Sequence, residues 1–363
     1  MTGAMKNFLL AKDIIVKRGG VIVLDIPSFA VEEGTVVSLI GPNGTGKSTL
    51  LLTLAGLLSI HQGHIFFKDQ DIISNGIFAY RRHLSVVFQD PLLFDTTVFD
   101  NVASGLKIRK QKAAAIDGRV HEALERFGIG HLAKRSARKL SGGEAQRTSL
   151  ARAFAVKPEI IFLDEPFASL DSPTREALLE DLAKILFETK TTAVVATHDQ
   201  MEALRLSDRM AIMKQGRIIQ SGTPSEVVNH PADEFVASFV GTDTILEGHV
   251  VANTAGNLTV SVNTRLIHAI AEPDTKDTVL CCIRPEHVTI TRGEPSVETS
   301  ARNVFPALIL DIRSMGAFYK INLDCGFPLI AYITSESLDN LSLQKDLTVT
   351  VSFKATAVHI IQR

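Results

Sequence analysis

The chain has 363 residues, 45% of them hydrophobic, which is enough for more than one packed domain. Its 38 Lys+Arg and 40 Asp+Glu leave a net charge of −2, which argues against a nucleic-acid binder working by bulk charge but not against a local phosphate site. Three cysteines, two of them the adjacent Cys281 and Cys282, form neither a disulfide framework nor a zinc spacing and read as small buried or edge-strand residues.

The opening MTGAMKNF shows no apolar core of a secretory signal. Val36–Ile40 is a short, nearly continuous apolar run, as expected of a parallel strand buried on both faces. It runs into Gly41-Pro42-Asn43-Gly44-Thr45-Gly46-Lys47-Ser48, and Thr49 follows. Glycines let backbone N–H groups turn inward around phosphate oxygens, and a helix opening near Lys47 adds its positive end. In this strand–loop–helix context Lys47 is expected to reach the β/γ-phosphates of ATP and the Ser48 hydroxyl to ligate Mg²⁺. Ser48 to Phe67 holds no Lys, Arg, Asp or Glu, but His61, Gln62, Gly63 and His64 interrupt it. A spanning helix needs ~20 mainly apolar residues, so Leu50–Leu58 reads as a buried helix and any membrane spanning is left to other chains.

Asp90 to Asn101 is apolar in character through Leu92, Leu93, Phe94 and Phe99. Some of these are expected to pack inward, with Phe94 left for contact. From about Ala103 to Lys139 the pattern is helical and polar-faced, as in an inserted lobe. In Leu140-Ser141-Gly142-Gly143-Glu144-Ala145-Gln146-Arg147, Ser141 and Glu144 have the spacing of a capping box. Gly142 and Gly143 leave that helix start bare, open to the close approach of an anion.

Ile160–Leu163 and Thr192–Ala196 are two more buried strands, with Leu178, Leu182, Ile185 and Leu186 at helical spacing between them. Asp164 and Glu165 end the first of these runs, where such sheets bind ligands. Asp164 is placed for the Mg²⁺ shell, and Glu165 to orient or deprotonate water attacking the γ-phosphate. After about Val240 the period becomes two: Leu258, Val260, Val262; Leu308, Leu310, Ile312; Leu347, Val349, Val351, Phe353. This predicts a small antiparallel β-domain. Within it, Cys282–Ile290 and Ser352–Ile360 share their apolar positions, with Arg284 matching Lys354.

The glycine loop, the Asp164–Glu165 pair and the Leu140–Arg147 segment together resemble the ABC ATPase family over about residues 7 to 240. Gln89 in Val87-Phe88-Gln89-Asp90 matches that family's Q-loop, Ser169-Leu170-Asp171 its D-loop, and His198 in Ala196-Thr197-His198-Asp199 its switch histidine. The resemblance implies an α/β P-loop nucleotide-binding domain over 1–240, with a helical lobe at about 90–150, and a β-rich domain over 241–363. It implies catalytic roles for Glu165, His198, Gln89 and Lys47, and a Mg²⁺ shell of Ser48, Gln89 and Asp164. It also implies a head-to-tail homodimer, each ATP lying between the Lys47 loop of one subunit and Ser141, Gly142, Gly143 and Asp171 of the other. Further partners would be transmembrane permease subunits and, indirectly, a substrate-binding protein, with no nucleic acid; the protein would sit peripherally at the cytoplasmic face of the membrane. In the family the region after the Q-loop helps form the groove where a membrane-subunit helix docks. One departure stands out: Val16-Lys17-Arg18-Gly19-Gly20-Val21 lacks the family's adenine-stacking aromatic. Either Arg18 lays its guanidinium on the base or adenine is held loosely.

Ile283-Arg284-Pro285-Glu286-His287 resembles the R-P-E-H segment of the oligomer-binding-fold (TOBE-like) tail of importer ATPases. Ser300-Ala301-Arg302-Asn303 and Ser352–His359 look like its molybdate/tungstate-binding form. This implies an importer of tungstate or molybdate, with excess oxyanion binding the tail and holding the ATPase sites apart. A tetrahedral dianion wants several donors and one or two positive charges, which Ser300, Arg302 and Lys354 supply. The same residues also fit a strand cap and a solvated edge charge. Similar tails occur on sulfate, sugar, iron and polyamine importers, so those cargoes, and an oxyanion store or sensor with an ATPase attached, stay open.

Overall fold

A computed structural model describes residues 7–272, 274–275, 277–293 and 299–363. Contacts divide the chain into two compact units, Met1–Pro224 and Ser225–Arg363.

The first unit runs β1 (Asn7–Arg18), β2 (Val21–Glu32), β3 (Val36–Ile40), α1 (Lys47–Leu54), β4 (Gln62–Phe67), β5 (Gln70–Asp71), α2 (Ile77–Arg81), β6 (Leu84–Val87), α3 (Val98–Ile108), α4 (Ala113–Arg126), α5 (Gly142–Ala155), β7 (Ile160–Asp164), α6 (Ser172–Thr189), β8 (Thr192–Thr197), α7 (Gln200–Leu206), β9 (Arg209–Lys214) and β10 (Arg217–Gly222). Six strands form a sheet in the order β10-β9-β3-β8-β7-β6, parallel except for β10. Its continuous apolar runs are buried on both sides, because alternate residues of a strand face opposite ways. Ile161, Leu163, Ala193 and Val195 enter one core with residues of α3 to α6. Ile160, Phe162, Val194 and Ala196 enter another with α1 and the antiparallel sheet β2-β1-β4-β5. The C-terminal ends of β3, β7 and β8 thus open side by side where the glycine loop begins.

Two expectations need correction. The helix after the loop begins at Lys47 and stops at Leu54, short of Leu58, because Gly56 takes a left-handed φ of 67° just past its end. The division between units falls after Pro224 and not at residue 240. Helices α8 (Pro224–Asn229) and α9 (Glu234–Phe239) go with the second unit. Ala237 packs against Leu280, Cys282 and Ile361, and Arg284 Nη2 donates to the carbonyls of Val228 and Val240, each at 3.0 Å.

The second unit continues with β11 (Thr244–Thr254), β12 (Asn257–Val262), β13 (Arg265–Ile270), β14 (Thr278–Ile283), β15 (Thr289–Thr291), β16 (Asn303–Ser314), β17 (Tyr319–Asp324), β18 (Pro328–Ile333), α10 (Ser335–Asn340), β19 (Thr348–Phe353) and β20 (Val358–Gln362). Two antiparallel sheets, β13-β12-β11-β14-β20 and β15-β19-β16-β17-β18, enclose one core. Leu258, Val260 and Val262 face inward as the alternation predicts. In β16 the inward set is Phe305, Ala307 and Ile309, and Leu308 and Leu310 are exposed on the outer face. The segments 282–290 and 352–360 share one local form, a strand, a one-turn 3₁₀ helix (Pro285–His287; Ala355–Ala357) and a second strand. Among the described residues no helix is long and apolar enough to cross a membrane.

Candidate active site

The glycine loop keeps its shape because its backbone lies closer to neighbours than a side chain allows. A Cβ on Gly41 would fall 2.4 Å from the Met213 carbonyl oxygen. Gly46 caps α1 at φ 101°, and a Cβ there would meet Leu24 Cδ2 at 2.8 Å. Pro42, Asn43 and Gly44 form the exposed crest. The Thr45 hydroxyl donates to the Pro42 carbonyl at 2.9 Å, and Thr49 continues the helix, its carbonyl accepting from the Thr53 hydroxyl.

Five side chains meet beside this loop. Lys47, only 4% exposed, donates through Nζ to the carbonyls of Gly41 (2.8 Å) and Pro42 (3.1 Å) and stands 3.6 Å from Glu165 Oε1. Burial lowers its pKa, and the charge and hydrogen bond of Glu165 act the other way. The Ser48 hydroxyl donates to Asp164 Oδ1 at 2.8 Å. Burial pushes the Asp164 carboxyl up from its ordinary value, against the hydrogen bond from Ser48. Glu165 takes a left-handed φ of 45°, its amide donating to the Ala196 carbonyl at 2.8 Å across to β8. That turns its carboxylate toward His198, whose Nδ1 lies 2.7 Å from Oε2. This combines a buried ammonium on a glycine loop, a hydroxyl–carboxylate pair of oxygen donors, and a carboxylate next to an imidazole able to act on water.

Among the described residues, the other sequence-predicted residues share no hydrogen bond or ion pair with this cluster. Gln89 is exposed just beyond β6, the strand beside β7. Ser141 caps α5 in a complete capping box: its hydroxyl accepts from the Glu144 amide at 3.3 Å, and Glu144 Oε2 accepts from the Ser141 amide at 2.7 Å. Gly142 lies beside Ser169 in the turn after β7 and Gly143 beside the first turn of α6, where a Cβ on Gly143 would meet Thr174 Cγ2 at 2.5 Å. Asp171 caps α6, accepting from the Thr174 amide at 3.0 Å and hydroxyl at 3.1 Å. Among the described residues no hydrogen bond or ion pair joins Ser141, Gly142, Gly143 or Asp171 directly to the Lys47 cluster.

In the second unit, Asn303 pairs with Phe353 across β16 and β19, so the register brings Arg302 and Lys354 to neighbouring positions beyond that end of the ladder. Asn303 is fully buried and clamps β13, bonding His268 N and O at 2.7 and 2.8 Å. Arg302 Nη1 donates to Asn257 Oδ1 at 2.7 Å, while Lys354 and Ser300 are exposed.

Two features escape the sequence reading. Arg152 on α5 donates to the carbonyls of Pro91 (2.9 Å) and Leu92 (3.0 Å), fixing the loop that leaves Leu92 62% and Phe94 56% exposed. Beneath His198, the Thr197 hydroxyl is held by the buried Glu202. The only local signal for it is the Asp199–Glu202 spacing of a helix start.

The ABC transporter family profile matches residues 24–168 and the TOBE domain profile residues 299–360. The chain is 41% identical over 335 residues to a Pyrococcus horikoshii protein named molybdate/tungstate import ATP-binding protein WtpC, covering 92% of this chain and 94% of that one. It is 38% identical over 345 residues to the sulfate/thiosulfate import ATP-binding protein CysA of Bacillus cereus, covering 93% and 92%. Among solved structures, cbiO1 from Clostridium perfringens, part of the ABC transporter complex cbiONQ, matches with a TM-score of 0.58 at 31% identity, covering 66% of this chain and 96% of that one.

Proposed function

The chain belongs to the ATP-binding proteins of ABC transporters and is an ATPase of that class, and from this premise we propose that it drives import of an oxyanion, tungstate or molybdate. The observation that carries the cargo is the 41% identity to the Pyrococcus protein across both units, above the 38% to the Bacillus protein at nearly the same coverage. The paired cations Arg302 and Lys354 at one strand end support it, since a tetrahedral dianion needs such charge.

In this reading Lys47 and the Gly41–Ser48 backbone grip the ATP phosphates, and Glu165 orients and deprotonates the attacking water. The nearby imidazole of His198 fixes that carboxylate and faces the γ-phosphate. Mg²⁺ fits the residues present, because the Ser48 hydroxyl and the Asp164 carboxylate form an all-oxygen pair 2.8 Å apart, and hard cations prefer oxygen. With Gln89 these would hold the ion, which when bound neutralises phosphate charge. Ser141, Gly142, Gly143 and Asp171 would serve the ATP of a second copy in a head-to-tail pair. Permease subunits would dock through the loop carrying Leu92 and Phe94, leaving this chain peripheral at the cytoplasmic face, and a substrate-binding protein would deliver cargo to them. Excess oxyanion binding at Ser300, Arg302 and Lys354 would then restrain turnover.

Calorimetric titration of the whole chain with tungstate, molybdate and sulfate in turn tests the cargo. Tight binding of tungstate or molybdate, lost in Arg302→Ala or Lys354→Ala, is expected. Sulfate binding in their place would favour the second reading, to which the 38% identity with the Bacillus protein points. No binding of any of the three would leave the ATPase intact and reopen the cargo.

A further inference from the structure

We propose that Glu202 is a positioning residue for ATP hydrolysis, acting on His198 through Thr197 and Asp199. This rests on the assignment of Glu165 and His198 to the hydrolytic step. His198 is about half exposed, and its side-chain contact with Glu165 alone does not fix the backbone that carries it. The residues on either side do. Thr197, fully buried at the end of β8, donates its hydroxyl to Glu202 Oε2 at 2.5 Å. The same hydroxyl oxygen accepts from the Asp199 amide at 3.0 Å. Asp199 Oδ1 in turn accepts from the amides of Met201 (2.8 Å) and Glu202 (3.1 Å), capping α7. The turn bearing the imidazole is therefore closed into a ring of hydrogen bonds whose buried acceptors are the Thr197 hydroxyl and the Glu202 carboxyl.

The ring has an outside connection. Arg175 Nη1 stands 3.8 Å from Asp199 Oδ2, and its Nη2 donates to the Leu170 carbonyl at 3.5 Å. Its Nε is buried without a hydrogen-bond partner among the described residues. The Leu170–Asp171 turn and the His198 turn thus share one guanidinium within a chain. A carboxyl buried in a parallel α/β core is costly unless hydrogen-bonded. Burial raises the pKa of Glu202 and the Thr197 hydrogen bond opposes that rise. The carboxyl holds the Thr197 hydroxyl, a contact that an apolar side chain in its place could not make.

The test is steady-state ATPase kinetics of the purified chain with ATP titrated, alongside thermal unfolding. Glu202→Leu removes the acceptor, and Thr197→Val removes the donor from the other side. Each is expected to lower kcat by about 10- to 100-fold, the cost of a misplaced reacting group, with KM for ATP unchanged because the glycine loop is untouched. Glu202→Gln and Thr197→Ser restore the hydrogen bond and are expected to recover most of kcat. Wild-type turnover in Thr197→Val overturns the proposal, as does a loss in Glu202→Gln equal to that in Glu202→Leu, or a rise in KM in place of the fall in kcat. Where Glu202→Leu fails to fold, the Thr197 pair decides. His198→Ala separates the two levels: full turnover in that variant sinks the assignment of His198 and this proposal with it. Lost turnover there with normal turnover in Thr197→Val sinks this proposal only.

Discussion

His198 Nδ1 lies 2.7 Å from Glu165 Oε2, and Glu165 reaches it from a left-handed backbone at φ 45°. A carboxylate only accepts, so the imidazole nitrogen is the donor in this pair. Left-handed backbone at a residue with a Cβ costs on the order of 1 kcal/mol. The amide bond from Glu165 to the Ala196 carbonyl at 2.8 Å helps to hold it. Glu165→Gln keeps this shape and removes the proposed base. Turnover is expected to fall at least about 100-fold with ATP binding intact. Equilibrium ultracentrifugation of that variant with ATP is expected to show dimer; monomer alone would refute the head-to-tail pair.

Asp164 offers a trade between stability and activity. Its folded-state pKa is raised by burial, so its contribution is fully favourable below the unfolded carboxyl value and is lost as pH rises through the folded one. At neutral pH, above the unfolded carboxyl value, the buried group weighs against folding. Asp164→Asn removes that cost and is expected to raise stability by about 1 kcal/mol at pH 7, while ATPase activity is lost. Urea unfolding at pH 7 and pH 4 checks it: the gain should shrink toward the acid side, and a gain that grew there would contradict the sign.

Lys47 is held by two loop carbonyls and faces Glu165. Lys47→Ala removes a charged donor, and ATP affinity is expected to fall about 10- to 100-fold. Titration with a fluorescent ATP analogue measures this; unchanged affinity would remove Lys47 from the phosphate site.

At the β1–β2 turn, Gly19 and Gly20 take φ of 55° and 82°, and Arg18 is exposed beside them. With no aromatic residue in Val16–Val21, loose adenine contact predicts that GTP supports turnover comparably to ATP. A strong preference for ATP, reduced in Arg18→Ala, would instead indicate that the guanidinium stacks on the base.

The thiols of Cys281, Cys282 and Cys325 are each pushed up to about 12, burial being the largest cause. The thiolate is the reactive form. No labelling by an aromatic disulfide reagent is therefore expected at pH 8 in the folded chain, and three equivalents after denaturation. Labelling of the native protein would contradict their burial.

Local patterns determined much of this protein. The run Val36–Ile40, the glycines after it and Lys47-Ser48 are contiguous, and each residue's backbone preference agrees with its neighbour's, so strand, loop and helix could be read in place. The same holds for the Ser141–Glu144 capping box, closed within four residues, and for the inward alternation of Leu258, Val260 and Val262. Only the tertiary structure decided which side chains meet: Ser48 with Asp164, Glu165 with His198, Arg152 with the Pro91 and Leu92 carbonyls, Arg175 with Asp199. These partners lie 24 to 116 residues apart, counted from Arg175–Asp199 to Ser48–Asp164. Their meeting depends on the strand order β3-β8-β7 and on the register of each pair, which no local period encodes. Apolar residues on both faces of β16 likewise left its inward face undetermined until β17 and β19 paired with it. Helices α8 and α9 read as a continuation of the first unit until Arg284, more than 40 residues on, claimed the carbonyls of Val228 and Val240. Sequence specifies the pieces through short-range backbone and capping preferences; long-range hydrogen bonding and burial choose their neighbours.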